Sequence, residues 1–393
     1  MSFLSNLTAS FPGERSAFNS PHAQLKLQLL APISFRPRIT IAPPFQKDAF
    51  GVSRIGISSS SRCGRKRSVC MTLINERLGR DRDVADPSSI LAYELVQGKH
   101  VNWSSMVVLN RSIPEPPTAV LLHGILGCRK NWGSFVRRLA QEFPTWQFVL
   151  VDLRCHGDSA SIRKRGPHTV ASTASDVLKL IAQLRITPRV LIGHSFGGKV
   201  VLSMVEQAAK PLPRPVRVWV LDATPGKVRA GGDGEDHPGK LISFLKKLPN
   251  EVSSKRDIVN ALVQEGFSKD VAQWVVTNLR PAATAGSSSS SFSWVFDLEG
   301  ISEMYQSYEE TNLWKVVEDL PRGVHVNFLK AERSLHRWAL EDLQRIHAAE
   351  ETAADEGGGV EMHVLEDAGH WVHADNPDGL FRILSFSFKG VKT

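Results

Sequence analysis

The nine residues Val190-Leu191-Ile192-Gly193-His194-Ser195-Phe196-Gly197-Gly198 set the frame for the rest of the chain. An apolar run reads as a buried strand and stops at a Gly-x-Ser-x-Gly turn. From Lys199 a helical pattern follows, through Val200, Val201, Met204, Val205 and Ala208. Strand, tight turn and helix in that order hold a serine on a sharp elbow and lift its hydroxyl out of a sheet. Gly193 and Gly197 lack a Cβ, so strand and helix can approach closely while Ser195 takes a strained backbone conformation. The bare pattern arises by chance about 0.1 times in a chain of this length. Its flanking elements, and partners elsewhere in the chain, decide whether it carries chemistry.

The surrounding sequence alternates in the same way. Leu91–Leu95 and Met106–Leu109 read as a hairpin pair of strands. Ala119–Leu122 and Phe148–Val151 read as buried strands, Trp132–Phe143 as a helix, and Val170, Ala174, Val177, Ile181 and Leu184 as one face of an amphipathic helix. Val216–Leu221 is a strand ending at Asp222. Strands alternating with helices predict an α/β fold with a mostly parallel sheet flanked by helices. Residues 223–318 break the alternation: they are mainly helical in pattern, with no clear strand, and read as a helical cap over the cleft. Gly231-Gly232 and a flexible Gly286–Ser291 insertion interrupt them. Alternation resumes with a strand at Val324–Leu329, a helix around Trp338–His347, a polar loop at Glu350–Gly359, a strand at Val360–Leu365 and a helix from Pro377 to Phe388.

Charge separates the chain into a leader and a body. Residues 1–70 hold ten Lys or Arg and two acids, so the whole excess of +8 sits there; the other 38 basic and 38 acidic residues cancel. The body therefore offers no electrostatic case for nucleic acid. The leader is Ser-rich and acid-poor, with Ser58 to Ser61 in a row and the cluster Arg65-Lys66-Arg67. It has no apolar core of the secretory kind, and it reads as a disordered transit peptide. It resembles plastid leaders, which implies a chloroplast address, with the mitochondrion as the alternative. No apolar run reaches the 18 residues of a membrane span. The spacing of Cys63, Cys70, Cys128 and Cys155 suggests neither a disulfide framework nor a zinc site. The expected division is a leader at 1–70, a core at 71–222, a cap at 223–318 and a second core part at 319–393.

A serine hydroxyl needs a positioned base to act as a nucleophile. His370, in Asp367-Ala368-Gly369-His370-Trp371, follows the last strand and precedes the last helix. That places it on the rim of strand carboxyl ends where Ser195 must also sit; His373 is a rival. The acid that orients the base must lie at a strand end too. Asp222 meets this condition directly after the elbow unit. Glu332, in Lys330-Ala331-Glu332-Arg333-Ser334-Leu335, and Glu341 or Asp342 are the alternatives. In that later loop, Ser334 occupies the position where an Asp commonly stands. The backbone N–H groups of Phe196 and Ile125 are the natural oxyanion donors. His194 flanks the serine and is expected to shape the substrate pocket. His123 is expected to brace its loop, and Asp152–Ser159 to form a structural turn. Cys128 and Cys155 read as ordinary loop cysteines. No metal and no organic cofactor is implied.

Four motifs stand in an order that resembles the α/β-hydrolase superfamily: Leu122-His123-Gly124, Asp152-x-Arg154-x-His156-Gly157-x-Ser159, Gly193-His194-Ser195-Phe196-Gly197-Gly198 and Gly369-His370. The resemblance covers roughly residues 90–390. Phe244–Pro249, Val271–Leu279 and Phe292–Leu298 are similar to the branch containing the bacterial esterase YbfF and the abhydrolase-domain-eleven proteins. The branch implies an α/β-hydrolase fold with a helical cap, an acid after the strand that follows the elbow (here Asp222), and a serine hydrolase acting on carboxylic esters. Thioesters or acyl lipids are further substrates it allows, so the expected partner is a small acyl ester or lipid. Acyl transfer on the same fold, and a non-catalytic ligand-binding or scaffold role, are the alternative functions.

Overall fold

The computed structural model describes residues 90–101, 115–162, 166–208, 216–228, 237–282, 291–334, 338–355 and 359–389. The leader, the strand expected at Met106–Leu109 and the Gly231-Gly232 pair lie outside them, as does the Gly286–Ser291 insertion apart from Ser291.

The main sheet contains β1 (Tyr93–Gln97), β2 (Thr118–Leu122), β3 (Gln147–Val151), β4 (Pro188–His194) and β5 (Val216–Leu221). Among the described residues it is completed by β9 (Val324–Ala331) and β10 (Gly359–Leu365), in the order β1-β3-β2-β4-β5-β9-β10. β1 runs antiparallel to β3, and the other neighbouring pairs are parallel. β2 and β3 are buried at every position, as strands covered on both faces must be. Side-chain alternation then divides the core. Val120, Leu122, Val149, Val151, Val218 and Val220 pack one face against α2 (Val170–Leu184) and α3 (Phe196–Gln207). Ala119, Leu121, Phe148, Leu150, Trp219 and Leu221 pack the other face against α1 (Gly133–Glu142) and α11 (Pro377–Leu384). The register aligns Leu122 with Gly193, His194 with Leu221, and Leu221 with Leu329. The loops leaving these strands therefore gather along one edge of the sheet.

Local sequence explains the helix ends. Thr169 and Ser172 exchange side-chain hydrogen bonds with each other's backbone at the start of α2, and Arg185 closes that helix in the left-handed region at φ 54°.

Between β5 and β9 the chain forms α4 (Pro238–Leu245), β6 (Glu251–Val252), α5 (Lys255–Gln264) and α6 (Lys269–Val275). These are followed by β7 (Leu279–Pro281), β8 (Phe292–Trp294), α7 (Leu298–Glu310) and α8 (Trp314–Glu318). The helices agree with the sequence pattern. The three strands do not: they form a small antiparallel sheet in the order β6-β8-β7, where a segment without strands was expected. Strands of two or three residues are too short for a period of two to register. Two boundaries also moved. β1 begins two residues later than expected. α9 (Leu340–Asp355) runs through most of the stretch expected as a polar loop, because Glu and Ala in Ala348–Asp355 favour helix as readily as solvent. α10 (Val372–Asp375) precedes α11.

Candidate active site

Ser195 sits between β4 and α3 with φ 52° and ψ −116°, outside the helical and extended regions. This is the strained turn that the glycine pattern implied. A Cβ on Gly193 would stand 2.0 Å from the carbonyl oxygen of Gly197, so no side chain fits there. Ser195 is 8% exposed and lies at the N-terminus of α3, where backbone N–H groups have no intrahelical acceptor and the helix dipole favours negative charge. The following residue, Phe196, and Ile125 of the loop after β2 line the same cavity as Ser195. A Cβ on Gly124 would lie 3.3 Å from Ser195 Cβ, so that loop rests directly against the serine.

His370 follows β10 and lines the same cavity. Its Nδ1 is 2.7 Å from Asp222 Oδ2. Asp222 follows β5, is fully buried and takes φ 50°. It also accepts from the N–H of Ala331 at 3.1 Å, from the hydroxyl of Ser334, and from Trp338 Nε1 at 3.3 Å. A buried carboxylate with this many donors is held in one orientation. Asp222 at Nδ1 fixes the orientation and the tautomer of the His370 ring.

The other acids stand elsewhere. Glu332 is exposed and accepts from the N–H of Asp367 at 2.9 Å. Asp342 accepts from the N–H of Ala339 at 3.3 Å at the start of α9, and Glu341 is exposed beside it. His373 lines the cavity, but its pKa is pulled down to about 4, chiefly by burial. His194 also lines the cavity, and its Nε2 lies 2.7 Å from the carbonyl oxygen of His370. Burial first, and the neighbouring His370 second, pull its pKa well below the usual range. His194 is thus a neutral donor that ties the His370 loop to β4 as well as a wall of the cavity.

His123 braces its loop, as expected. Its Nδ1 donates to the carbonyl of Gly124 at 2.8 Å, and its Nε2 accepts from the N–H of Leu153 at 3.0 Å. His156 repeats the arrangement: Nδ1 donates to the carbonyl of Arg154 and Nε2 accepts from the N–H of Leu126 at 3.0 Å. The Asp152–Ser159 turn is structural, with Asp152 accepting from the N–H groups of Arg129 and Asp158 and pairing with the Arg129 guanidinium.

Three contributors were missed from the sequence. Ser334 and Trp338 hold Asp222, and in the sequence Ser334 marks only a place where an acid is lacking. Lys199 begins the helical pattern after the elbow. It is fully buried, and its ammonium donates to the carbonyls of Gly226, Tyr308 and Thr311 at 2.6, 2.6 and 3.0 Å. A lone lysine in an apolar helix pattern was the available signal.

The cavity measures about 300 Å³. The segment between β5 and β9 supplies much of its apolar wall, including Leu241, Val271, Trp274, Tyr305 and Tyr308. Its polar groups include Ser195, His194 and His370, with Asn131, Arg333 and Asp375 also on the lining. An apolar wall with a few convergent polar groups is the composition of a small-molecule site.

Residues 119–383 match the model of the Alpha/beta hydrolase family. The chain is 28% identical over 331 residues to the sn-1-specific diacylglycerol lipase ABHD11 of Xenopus tropicalis, covering 81% of this chain and 86% of that one. It is 23% identical over 267 residues to the esterase YbfF of Escherichia coli strain K12, covering 67% of this chain and 90% of that one. Among solved structures, a marine microorganism esterase superposes with a TM-score of 0.58 at 21% identity, over 76% of this chain and 99% of that one. The chain belongs to the alpha/beta hydrolase family, on the branch that holds the ABHD11 and YbfF proteins.

Proposed function

We propose that this protein is a serine hydrolase of carboxylic esters whose acyl part is apolar. The observation that carries the reading is the buried Asp222–His370 pair, 2.7 Å apart, on the cavity that Ser195 enters from a strained helix N-terminus. Ser195 Oγ attacks the acyl carbonyl while His370 Nε2 takes its proton, and Asp222 stabilises the imidazolium that forms. The N–H groups of Phe196 and Ile125 receive the negative charge that develops on the carbonyl oxygen. His370 returns the proton to the departing alkoxide. A water molecule, activated by the same imidazole, then releases the acid from Ser195.

The apolar wall supports an acyl chain, and the diacylglycerol lipase named among the relatives makes a glycerolipid ester the first natural substrate to try. The test is hydrolysis of p-nitrophenyl esters of increasing acyl length and of diacylglycerol by the full chain. Turnover that rises with chain length to the limit of the cavity, and that disappears in Ser195→Ala, is the expected result. A folded wild type that binds acyl esters without product would replace this reading with a ligand-binding role. The basic, Ser-rich leader supports a plastid address; a fluorescent fusion of residues 1–70 that stays outside plastids would refute it.

A further inference from the structure

We infer that Cys155, His168 and Asp297 form a binding site for a divalent transition-metal ion, with zinc the best match, outside the ester cavity. None of the three lines that cavity. Cys155 Sγ lies 3.4 Å from His168 Nδ1 and 3.8 Å from Asp297 Oδ2, and all three ligand atoms lie within 4.8 Å of one another. Ligands arranged tetrahedrally around zinc, at its usual bond lengths to sulfur, nitrogen and oxygen, are separated by about 3.3–3.7 Å. The Cys155–His168 edge, at 3.4 Å, already has that size, and the Cys155–Asp297 edge, at 3.8 Å, is slightly longer. Thiolate, imidazole and carboxylate together suit a borderline-soft ion and disfavour calcium or magnesium, which take oxygen ligands.

The backbone arranges the three groups before any ion arrives. Asp297 is the N-cap of α7, and its Oδ1 accepts from the N–H of Gly300, which leaves Oδ2 to face the sulfur. The N–H of Asp297 donates to the carbonyl of Cys155 at 2.9 Å, and His156 pairs with Phe296 across the same junction. A Cβ on Gly300 would stand 2.4 Å from Cys155 Sγ, so the sulfur occupies space that only glycine leaves open. His168 is half-buried and Asp297 exposed, so water can complete a fourth position.

A second nucleophilic centre fits less well. Burial pushes the Cys155 thiol up to about 12, which leaves it unreactive as a free group. Cys155 and His168 belong to the loops after β3 and before α2, whereas Asp297 belongs to the segment inserted between β5 and β9. A bound ion would therefore join that segment to the sheet domain. This inference does not depend on the ester chemistry.

The test uses metal-stripped full-length protein, loaded separately with Zn²⁺ and Co²⁺ and then desalted. One zinc per chain and a thiolate-to-cobalt charge-transfer absorption are expected. A rise in Tm of about 5 °C is also expected at Zn²⁺ a hundredfold above Kd. Cys155→Ser should lose all three signals, and single Cys63→Ser, Cys70→Ser and Cys128→Ser variants should keep them. Asp297→Asn retains the helix cap and should weaken zinc binding by at least about tenfold; it gives the answer even if Cys155→Ser fails to fold. No zinc uptake by folded wild type, a cobalt–thiolate band that survives in folded Cys155→Ser, or undiminished zinc affinity in Asp297→Asn would each overturn the inference.

Discussion

Asp222 is the residue whose surroundings say most about the proposed chemistry. It is fully buried, yet the N–H of Ala331, the Ser334 hydroxyl, Trp338 Nε1 and His370 Nδ1 all converge on it. Replacing it by Asn keeps the volume but turns an acceptor into a donor and favours the wrong imidazole tautomer. Asp222→Asn should lower kcat by about 10⁴-fold with little change in KM, read from steady-state ester hydrolysis. Ser334→Ala removes one donor and leaves the carboxylate in place. A milder loss is expected, about tenfold in kcat. Steady-state ester hydrolysis checks it, and an unchanged kcat would mean that Ser334 only fills space. The reach of Ser334 to an acid 112 positions earlier could not be read from the chain, since it depends on β5 and β9 being sheet neighbours.

Among the elements, α3 joins the two halves of the site. Ser195 caps its start, and one turn later Lys199 reaches the carbonyls of Tyr308 and Thr311 at the end of α7, with its ammonium 4.4 Å from the Tyr308 ring centroid. A cation at a helix C-terminus satisfies carbonyls that have no intrahelical donor. Lys199→Met matches the stem but strands those acceptors in a dry interior. A loss of about 3 kcal/mol or more is expected in urea unfolding. Tyr305 and Tyr308 of α7 line the cavity, so KM for long-chain esters should rise as well. The helices of the inserted segment were legible because the longer ones, α5 and α7, span several turns of a periodic pattern. Its strands were not, because two or three residues acquire strand character only by pairing.

For the molecule as a whole, His123 and His156 set an acid limit. Their rings meet at 5.0 Å, and each Nε2 accepts a backbone N–H, which the protonated ring cannot do. Burial is the main reason that their pKa values fall to about 4 and about 3. In the unfolded chain both titrate near the ordinary value of about 6.5. Between those limits the unfolded state binds more protons, so stability rises with pH. It is complete above about pH 6.5 and falls as pH drops towards 4, by roughly 1 kcal/mol per pH unit for each ring. Urea midpoints measured from pH 7.5 to pH 4.5 check this, and a flat profile over that range would refute it. Since Leu126, which His156 holds, follows the proposed oxyanion donor Ile125, ester hydrolysis should fail in the same interval.

Local pattern was enough to read the elbow at Ser195, the sheet strands, the helix faces and the loop that carries His370. Each rests on side chains a few residues apart, and burial on both faces of a strand leaves an unbroken apolar run in the sequence. Asp222 was legible as one strand-end acid among several; that its carboxylate stands 2.7 Å from His370 Nδ1 was decided by the fold. The donors around Asp222, the buried Lys199, the crossed histidines and the Cys155–His168–Asp297 triangle were decided only in three dimensions. They join residues 13 to 148 positions apart, through strands that are neighbours in the sheet but distant in the chain. Polar groups so far apart leave no periodic trace. Their pairing is enforced by burial, which makes an unsatisfied partner costly wherever in the sequence that partner lies.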